Sequence, residues 1–169
     1  MTDDITLGLA RSTDAQGIAR MSRTLIEKGL GWTYDVPRVK RLVARPDVTA
    51  LVARDAQGLA GFAIMQFGDD DAHLVLLAVQ PRRQRQGVAR RMLGWLLDSA
   101  RVAGAAEIRL EIRAGNAGAR AFYHALGFGD AGLLPGYYGG RDTALRMVRV
   151  MRRADDQTPT WQAPTLRRH

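Results

Sequence analysis

LVLLAVQPRRQRQGVA, residues 74–89, joins an apolar run to a basic turn and then to the start of a helical pattern. Residues 73–79 are too few and too branched for a helix, and their unbroken apolar run predicts a strand buried on both faces. Pro81 ends it. Beyond Arg82-Arg83-Gln84-Arg85-Gln86, apolar residues return at helical spacing as Val88, Met92, Leu93, Leu96 and Leu97, so a helix opens near Gln86 or Gly87. Such an N-terminus carries unpaired N–H groups and a partial positive charge that suit a phosphate or pyrophosphate. Gly87 has no side chain to hold a phosphate off the backbone, Ala89 has only a methyl group, and Arg85 and Arg90 add charge from the sides. The alternative is an ordinary strand-to-helix connection with solvated arginines. No Gly-Lys-Ser/Thr follows, and the turn has one glycine where a dinucleotide fingerprint needs three. The loop therefore reads as a cradle for another phosphorylated ligand.

Outward from this unit the elements alternate. Residues 5–10 predict a first strand, 14–28 a helix capped by Ser12 or Thr13, and 37–44 a second helix with proline in its first turn. Residues 29–35, with Trp32 and Tyr34, link the two helices. Residues 48–54 and 59–67 form a hairpin, followed by an acidic turn at 68–71. After the signature strand and its helix to residue 103 come a strand at 107–113, a helix at 116–126 and a last strand pair around Gly139-Gly140. Polar residues 154–169, with two prolines, predict a loosely ordered tail after a single domain at 1–153.

In residues 107–113, Ile108, Leu110 and Ile112 alternate with Glu107, Arg109, Glu111 and Arg113, giving one apolar and one wholly charged face. A charged face on an interior strand suggests a cleft with Glu111 looking into it. Glu111 can act there as a general base, directly or through a water, or it can form a cross-strand ion pair with its flanking arginines. Those arginines should hold it ionised, which keeps it able to accept a proton but weakens it as a base. In the next helix Asn116 is a natural N-cap and Gly127 stands where a left-handed C-cap is wanted. Tyr123 lies on the apolar stripe, where it packs with its hydroxyl wet. His124 belongs to the outer face, and His73 and His169 have no partner visible in the sequence.

A chain of 169 residues has the size of one domain and can bury a real core. It has no cysteine, which removes disulfides, thiolate metal sites and a cysteine nucleophile; no metal site is expected. MTDDITLGLA is acidic without an apolar signal core, and no apolar run approaches membrane-spanning length, so a soluble, cytoplasmic protein with no membrane contact is expected. The net charge is +8, and Lys28 and Lys40 are the only lysines. The basic residues are spread along the chain with few aromatics between them, which favours a solvated surface and one phosphate site over a nucleic-acid stripe.

Gln84-Arg85-Gln86-Gly87-Val88-Ala89 resembles the Gln/Arg-x-x-Gly-x-Gly/Ala acyl-CoA signature of the GCN5-related N-acetyltransferase (GNAT) superfamily. LEIRAGNAGARAFYHALGF, residues 110–128, resembles the strand, Asn-started helix and Tyr-x-x-Leu-Gly-Phe ending of these enzymes. GYYGGRDTALRM, residues 136–147, resembles the closing hairpin of the ribosomal-protein-alanine N-acetyltransferase (RimI-like) branch. The resemblance spans roughly residues 47–151. It implies an α/β (α+β) fold: one domain with a central mixed, mostly antiparallel, twisted sheet and helices on both faces.

By position, the resemblance implies that Leu77, Ala78 and Val79 offer backbone groups to the pantetheine and acetyl carbonyl of acetyl-CoA. Arg85, Gln86, Gly87, Val88, Ala89 and Arg90 would hold the pyrophosphate, and Asn116 would contact the pantetheine arm. Glu111 and Tyr123 match the branch's base and acid, Tyr123 donating a proton to the departing sulfur. Tyr137 and Tyr138 match a wall of the peptide channel. The implied reaction is direct attack of a neutral amine on acetyl-CoA.

An N-terminal α-amine titrates near 8 and a lysine near 10.4, so exposing neutral lysine costs about 3 kcal/mol more at neutral pH. A weak carboxylate base thus favours a protein or peptide N-terminus as acceptor. Small amines (polyamines, aminoglycosides, amino acids) are the competing acceptors, and a non-catalytic acyl-CoA-binding module is the reading from another class. An edge strand near the C-terminal hairpin leaves room for a homodimer.

Overall fold

Seven strands form one sheet in the order β1-β2-β3-β4-β5-β7-β6. In the computed structural model, which describes residues 4–151, these are β1 (Thr6–Leu9), β2 (Val48–Asp55), β3 (Gly58–Phe67), β4 (Asp71–Val79), β5 (Glu107–Arg113), β6 (Gly129–Tyr138) and β7 (Asp142–Val150). Four α-helices, α1 (Ala15–Met21), α2 (Val36–Ala44), α3 (Val88–Ala103) and α4 (Ala117–Ala125), complete the domain. All neighbouring strands are antiparallel except β4 and β5. The expected mixed, mostly antiparallel sheet is therefore present, and the expected tail at 154–169 lies outside the described residues.

Alternation along the strands builds two cores, one on each face of the sheet. Met92, Leu93 and Leu96 of α3 pack with Ile108, Leu110 and Met147 on one face. Ile18 and Ala19 of α1 and Val39 of α2 pack with Val52, Phe62 and Ile64 on the other. Each large apolar side chain removed from water in this way contributes about 1.5–3 kcal/mol.

β4 departs from the expected strand buried on both faces. Only alternate residues of 71–78 are buried. Ile64 pairs with Leu76 but Met65 pairs with Leu74, so Val75 is an extra residue, a β-bulge. Across it the faces exchange: Leu74 belongs to the α3 core, whereas Leu76 and Ala78 belong to the α1–α2 core.

The first helix also differs from its expected single span of 14–28. A short 3-10 turn, Ser12–Asp14, leads into α1, and a π-turn, Ser22–Ile26, follows it. The 3-10 turn is capped by Arg11 and α1 by Asp14, not by Ser12 or Thr13, and the Asp14 carboxylate reaches back to accept from the Arg11 N–H at 2.8 Å. At α2 the Asp35 side chain accepts from the Arg38 N–H, with proline in the first turn as expected.

Candidate active site

The site begins where the sheet fails to close. β4 and β5 pair only over Asp71–His73 against Glu107–Arg109 and then diverge. Beyond His73 the β5-facing backbone edge of β4 has no ladder partner, and such groups need one from elsewhere. A cavity of about 750 Å³ fills this splay, between residues 74–77 of β4 and 110–116 of β5 and the loop after it. Leu77, Glu111, Asn116, Tyr123 and Tyr138 all line it. These candidates come from four separate stretches of sequence.

Ala78 and Val79 lie just past the cavity with their side chains in the two cores, so only backbone could meet a ligand there, and the Val79 carbonyl already accepts from the Gln84 side chain at 3.0 Å. The cradle follows in the same direction. Gly87 is the N-cap of α3 with φ 81°, ψ 7°, a left-handed conformation that glycine adopts freely. Nothing lies within 4 Å of the place a Cβ would take, so the helix start is open to a ligand. Two residues earlier Arg85 also has positive φ, 61°. Left-handed residues that alternate with one of ordinary hand, here Gln86, curl a loop so that its N–H groups converge, the geometry of an anion nest.

The basic residues of this turn divide by role. The Asp55 carboxylate, in the β2–β3 turn, accepts from both Arg82 and, at 2.6 Å, Arg83 Nε. The Gln86 side chain donates to the Arg82 carbonyl at 3.0 Å and accepts from Arg83 at 3.3 Å, so this predicted ligand side chain braces the loop and has only its backbone to offer. Among the described residues Arg85 and Arg90 are in no ion pair with a carboxylate. Val88 is buried in the core and likewise offers only its backbone. Thus the cradle fits a diphosphate through backbone N–H groups, the dipole of a 16-residue helix and two available guanidinium groups.

Asn116 caps α4, its Oδ1 accepting from the Ala119 N–H at 3.1 Å, which leaves its side-chain amide hydrogens for a ligand. Tyr123 on α4 is buried edge-to-face between Phe122 and Phe128, at ring separations of 5.0 and 5.6 Å. Burial, and secondarily the Tyr138 phenol, push its pKa far above the ordinary tyrosine value. The hydroxyl therefore stays protonated throughout the physiological range.

Glu111 is paired, but not with the arginines beside it in sequence. Its Oε2 lies 2.6 Å from His73 Nε2, across the splay, and its Oε1 accepts from Arg146 Nε of β7 at 3.1 Å, with Arg146 Nη2 3.0 Å away in the same ion pair. Arg109 instead pairs with Asp71, and Arg113 donates to the carbonyls of Ile26 and Lys28. In the β5–β7 register Arg146 stands directly opposite Glu111, whereas Arg109 and Arg113 lie one pleat away along the same strand. Burial works to raise the Glu111 pKa, yet His73 and Arg146 outweigh it and hold the carboxyl below its usual value.

Sequence reasoning did not find His73 or Glu27. Glu27 is buried behind the π-turn, where its carboxylate accepts from Ser22 Oγ at 2.9 Å and from the Thr33 N–H at 2.7 Å. It thereby pins the linker that carries Tyr34. Tyr34, Tyr137 and Tyr138 lie close enough to Glu111 to feel its charge. Burial and the nearby negative charge raise the pKa of all three, that of Tyr138 to about 12. Tyr137 and Tyr138 meet edge-to-face at 5.0 Å, and only Tyr138 of the two reaches the cavity lining. His124 lies on the outer face of α4, paired with Asp130 at 2.8 Å.

Residues 20–128 match the Acetyltransferase (GNAT) family. Over 93 residues the chain is 44% identical to the ribosomal protein bS18-alanine N-acetyltransferase of Escherichia coli K12, a match covering 53% of this chain and 63% of that protein. The chain thus spans less than two thirds of the length of that relative. The N-alpha-acetyltransferase RimI of Mycobacterium tuberculosis is 32% identical over 143 residues, covering 81% of this chain and 86% of that one. The crystal structure of the ribosomal-protein-S18-alanine N-acetyltransferase from Escherichia coli superposes with a TM-score of 0.76 at 29% identity, over 92% of this chain and 99% of that one. The splayed sheet, the open helix start and these matches agree: the chain belongs to the GNAT acetyltransferase family.

Proposed function

We propose that this protein is an acetyl-CoA-dependent N-acetyltransferase that acts on the α-amine of a protein or peptide N-terminus. The observation that carries the reading is the splay cavity, where Leu77, Asn116, Tyr123 and Glu111 meet within reach of an open cradle at the start of α3. A binding module has no need of a carboxylate and a protonated phenol lining the same cleft.

Acetyl-CoA supplies an acetyl group already activated as a thioester. Backbone N–H groups of the turn, with Arg85 and Arg90, hold the diphosphate, while Leu77, Ala78 and Val79 offer backbone groups at the end of β4 to the pantetheine and acetyl carbonyl. The amine nitrogen attacks the carbonyl carbon, a C–N bond forms and the C–S bond breaks. Glu111 supplies the negative charge that draws the proton from the amine, directly or through a group hydrogen-bonded to it. Tyr123 returns a proton to the sulfur. Its raised pKa does not forbid this, because the burial that raises a phenol also raises a departing thiol.

The acceptor reading rests on the ionised state of Glu111. A carboxylate held low is a weak base, and an α-amine gives up its proton more readily than a lysine by about 3 kcal/mol. Tyr34, Tyr137 and Tyr138, all within the field of Glu111, offer an extended peptide aromatic surface to lie against. The test is release of CoA thiol across a panel of peptides, spermidine, an aminoglycoside and free amino acids, with wild type, Glu111→Gln and Tyr123→Phe. Turnover on peptides, lost on blocking the α-amine and lowered in both variants, supports the reading. Turnover confined to small amines moves the acceptor class, and cofactor binding without turnover on any amine favours a binding module.

A further inference from the structure

Arg113 stands two residues beyond Glu111 on the same face of β5, and both line the splay cavity. Two walls of that cavity come from outside the splay itself. Ile26 and Lys28, at the end of the π-turn, line it from one side, and Tyr138 and Asp142 of the β6–β7 hairpin line it from another. Arg113 touches both. Its Nη2 donates to the Ile26 carbonyl at 3.1 Å and to the Lys28 carbonyl at 2.5 Å. Its Nη1 lies 3.7 Å from Asp142 Oδ2, and its guanidinium carbon lies 5.9 Å from the centre of the Tyr138 ring.

Each end of this bridge answers a local need. A helical turn that stops leaves its last carbonyls without donors, and the π-turn stops at Ile26. Residues 29–35 belong to no strand, so no ladder joins them to the hairpin. Glu27 ties the same segment down through Ser22 and Thr33, and Arg113 holds it from β5. At the far end, Tyr138 and Asp142 are the last paired residues of the hairpin, flanking a tip in which Gly139 and Gly140 are both left-handed. Opposite Arg113 on β7 is Ala144, so no cross-strand partner competes for the guanidinium. Asp142 is half exposed, which makes its ion pair the weaker end and the Tyr138 ring its necessary complement. A planar guanidinium serves carbonyls, carboxylate and ring together, whereas an ammonium is a point charge.

We propose that Arg113 is the positioning residue of the acceptor channel, tying the π-turn and its linker to the β6–β7 hairpin and so setting the affinity for the peptide. This rests on the acetyl transfer to a peptide α-amine proposed above. The diphosphate cradle at the start of α3 shares none of these residues, so the bridge acts on the acceptor and not on the cofactor. The Asn116 N–H bonds to the backbone carbonyl of Arg113, a contact that a change of side chain leaves in place.

Arg113→Gln removes the bridge, and Arg109→Gln is its control. Arg109 lies two residues before Glu111 on the same face, so its loss removes the same charge at the same spacing along the strand but leaves the bridge intact. In Arg113→Gln the KM for a peptide should rise about tenfold while kcat stays within about threefold and the Kd for acetyl-CoA is unchanged. Arg113→Lys keeps the charge without the fork, and its KM should stay at least about threefold above wild type. An unchanged peptide KM in Arg113→Gln, an equal rise in Arg109→Gln, or a fall in kcat alone overturns the proposal. Hydrogen exchange reads the bridge without substrate. The amides of Leu30, Thr33 and Tyr34, bonded within the linker, should exchange about tenfold faster in Arg113→Gln, with those of α3 unchanged. Unaltered exchange in the linker overturns the bridge whatever the activity. If wild type acetylates no peptide, the proposed acceptor falls and with it the role of Arg113 in binding it; if wild type is active on peptides and these tests fail, only Arg113 does.

Discussion

Replacing Gly87 by alanine separates what the cradle costs the fold from what it gives the ligand. At φ 81° an L-residue incurs about 1–2 kcal/mol of left-handed strain, partly offset by about 0.4–1 kcal/mol from a less flexible unfolded chain. No atom lies within 4 Å of the new methyl group, so no clash adds to this. The net loss is about 1 kcal/mol, or a Tm lower by about 2–4 °C in a domain of this size. Acetyl-CoA should suffer more, because the methyl group occupies the space a phosphate needs to reach the N–H groups, and a tenfold loss corresponds to about 1.4 kcal/mol. The control is Gly94→Ala in the same helix. Its site is also clear of neighbours but has ordinary helical geometry, so alanine there should raise Tm by a similar few degrees and leave affinity unchanged. Thermal unfolding and calorimetric titration with acetyl-CoA read both quantities. A Gly87→Ala protein with unchanged affinity, or a Gly94→Ala protein with equally reduced affinity, would refute the assignment of the α3 start as the phosphate site.

Further outcomes follow from the same geometry. Met92 is wholly buried against β3, and Met92→Ala should cost about 2–5 kcal/mol, read as a lower denaturation midpoint with little change in slope. Tyr123→Phe should keep its edge-to-face packing, and with it Tm within a few degrees, while kcat on a peptide falls more than KM changes. The carboxyls of Asp14, Asp47 and Glu111 all titrate lower in the folded protein, Asp47 at about 2. Groups depressed on folding stabilise fully above the unfolded carboxylate range and lose that contribution as pH falls through the folded values. Stability measured by urea unfolding should thus be flat above about pH 5 and decline between about 4 and 2.

The strand, turn and helix of residues 73–103 were legible because each is a local pattern: an apolar run, a proline stop and a return of helical spacing at Val88. β5 has the same bounds in sequence and structure, since strict alternation from Glu107 to Arg113 leaves no other reading. Asn116 caps α4 as its side chain predicts. What escaped depends on partners distant in the chain. An apolar run cannot disclose that β4 pairs with β5 over only three residues, or that an extra residue at Val75 exchanges its faces. A charged face announces ion pairs without naming partners. Glu111 looks to Arg109 and Arg113 in sequence, yet the sheet brings it Arg146 from 35 residues ahead and His73 from 38 behind. Glu27 escaped for the same reason, because only the widened π-turn buries it under the linker.

The central claim is acetyl transfer to an N-terminal α-amine in the splay between β4 and β5. Its most direct measurement is mass spectrometry of a peptide carrying both a free α-amine and an internal lysine, after incubation with acetyl-CoA and the protein at neutral pH. A single acetyl group on the α-nitrogen, absent when that nitrogen is blocked beforehand, is the predicted result. Acetylation of the lysine alone, or no acetylation of any peptide by a protein that still binds acetyl-CoA, would contradict it.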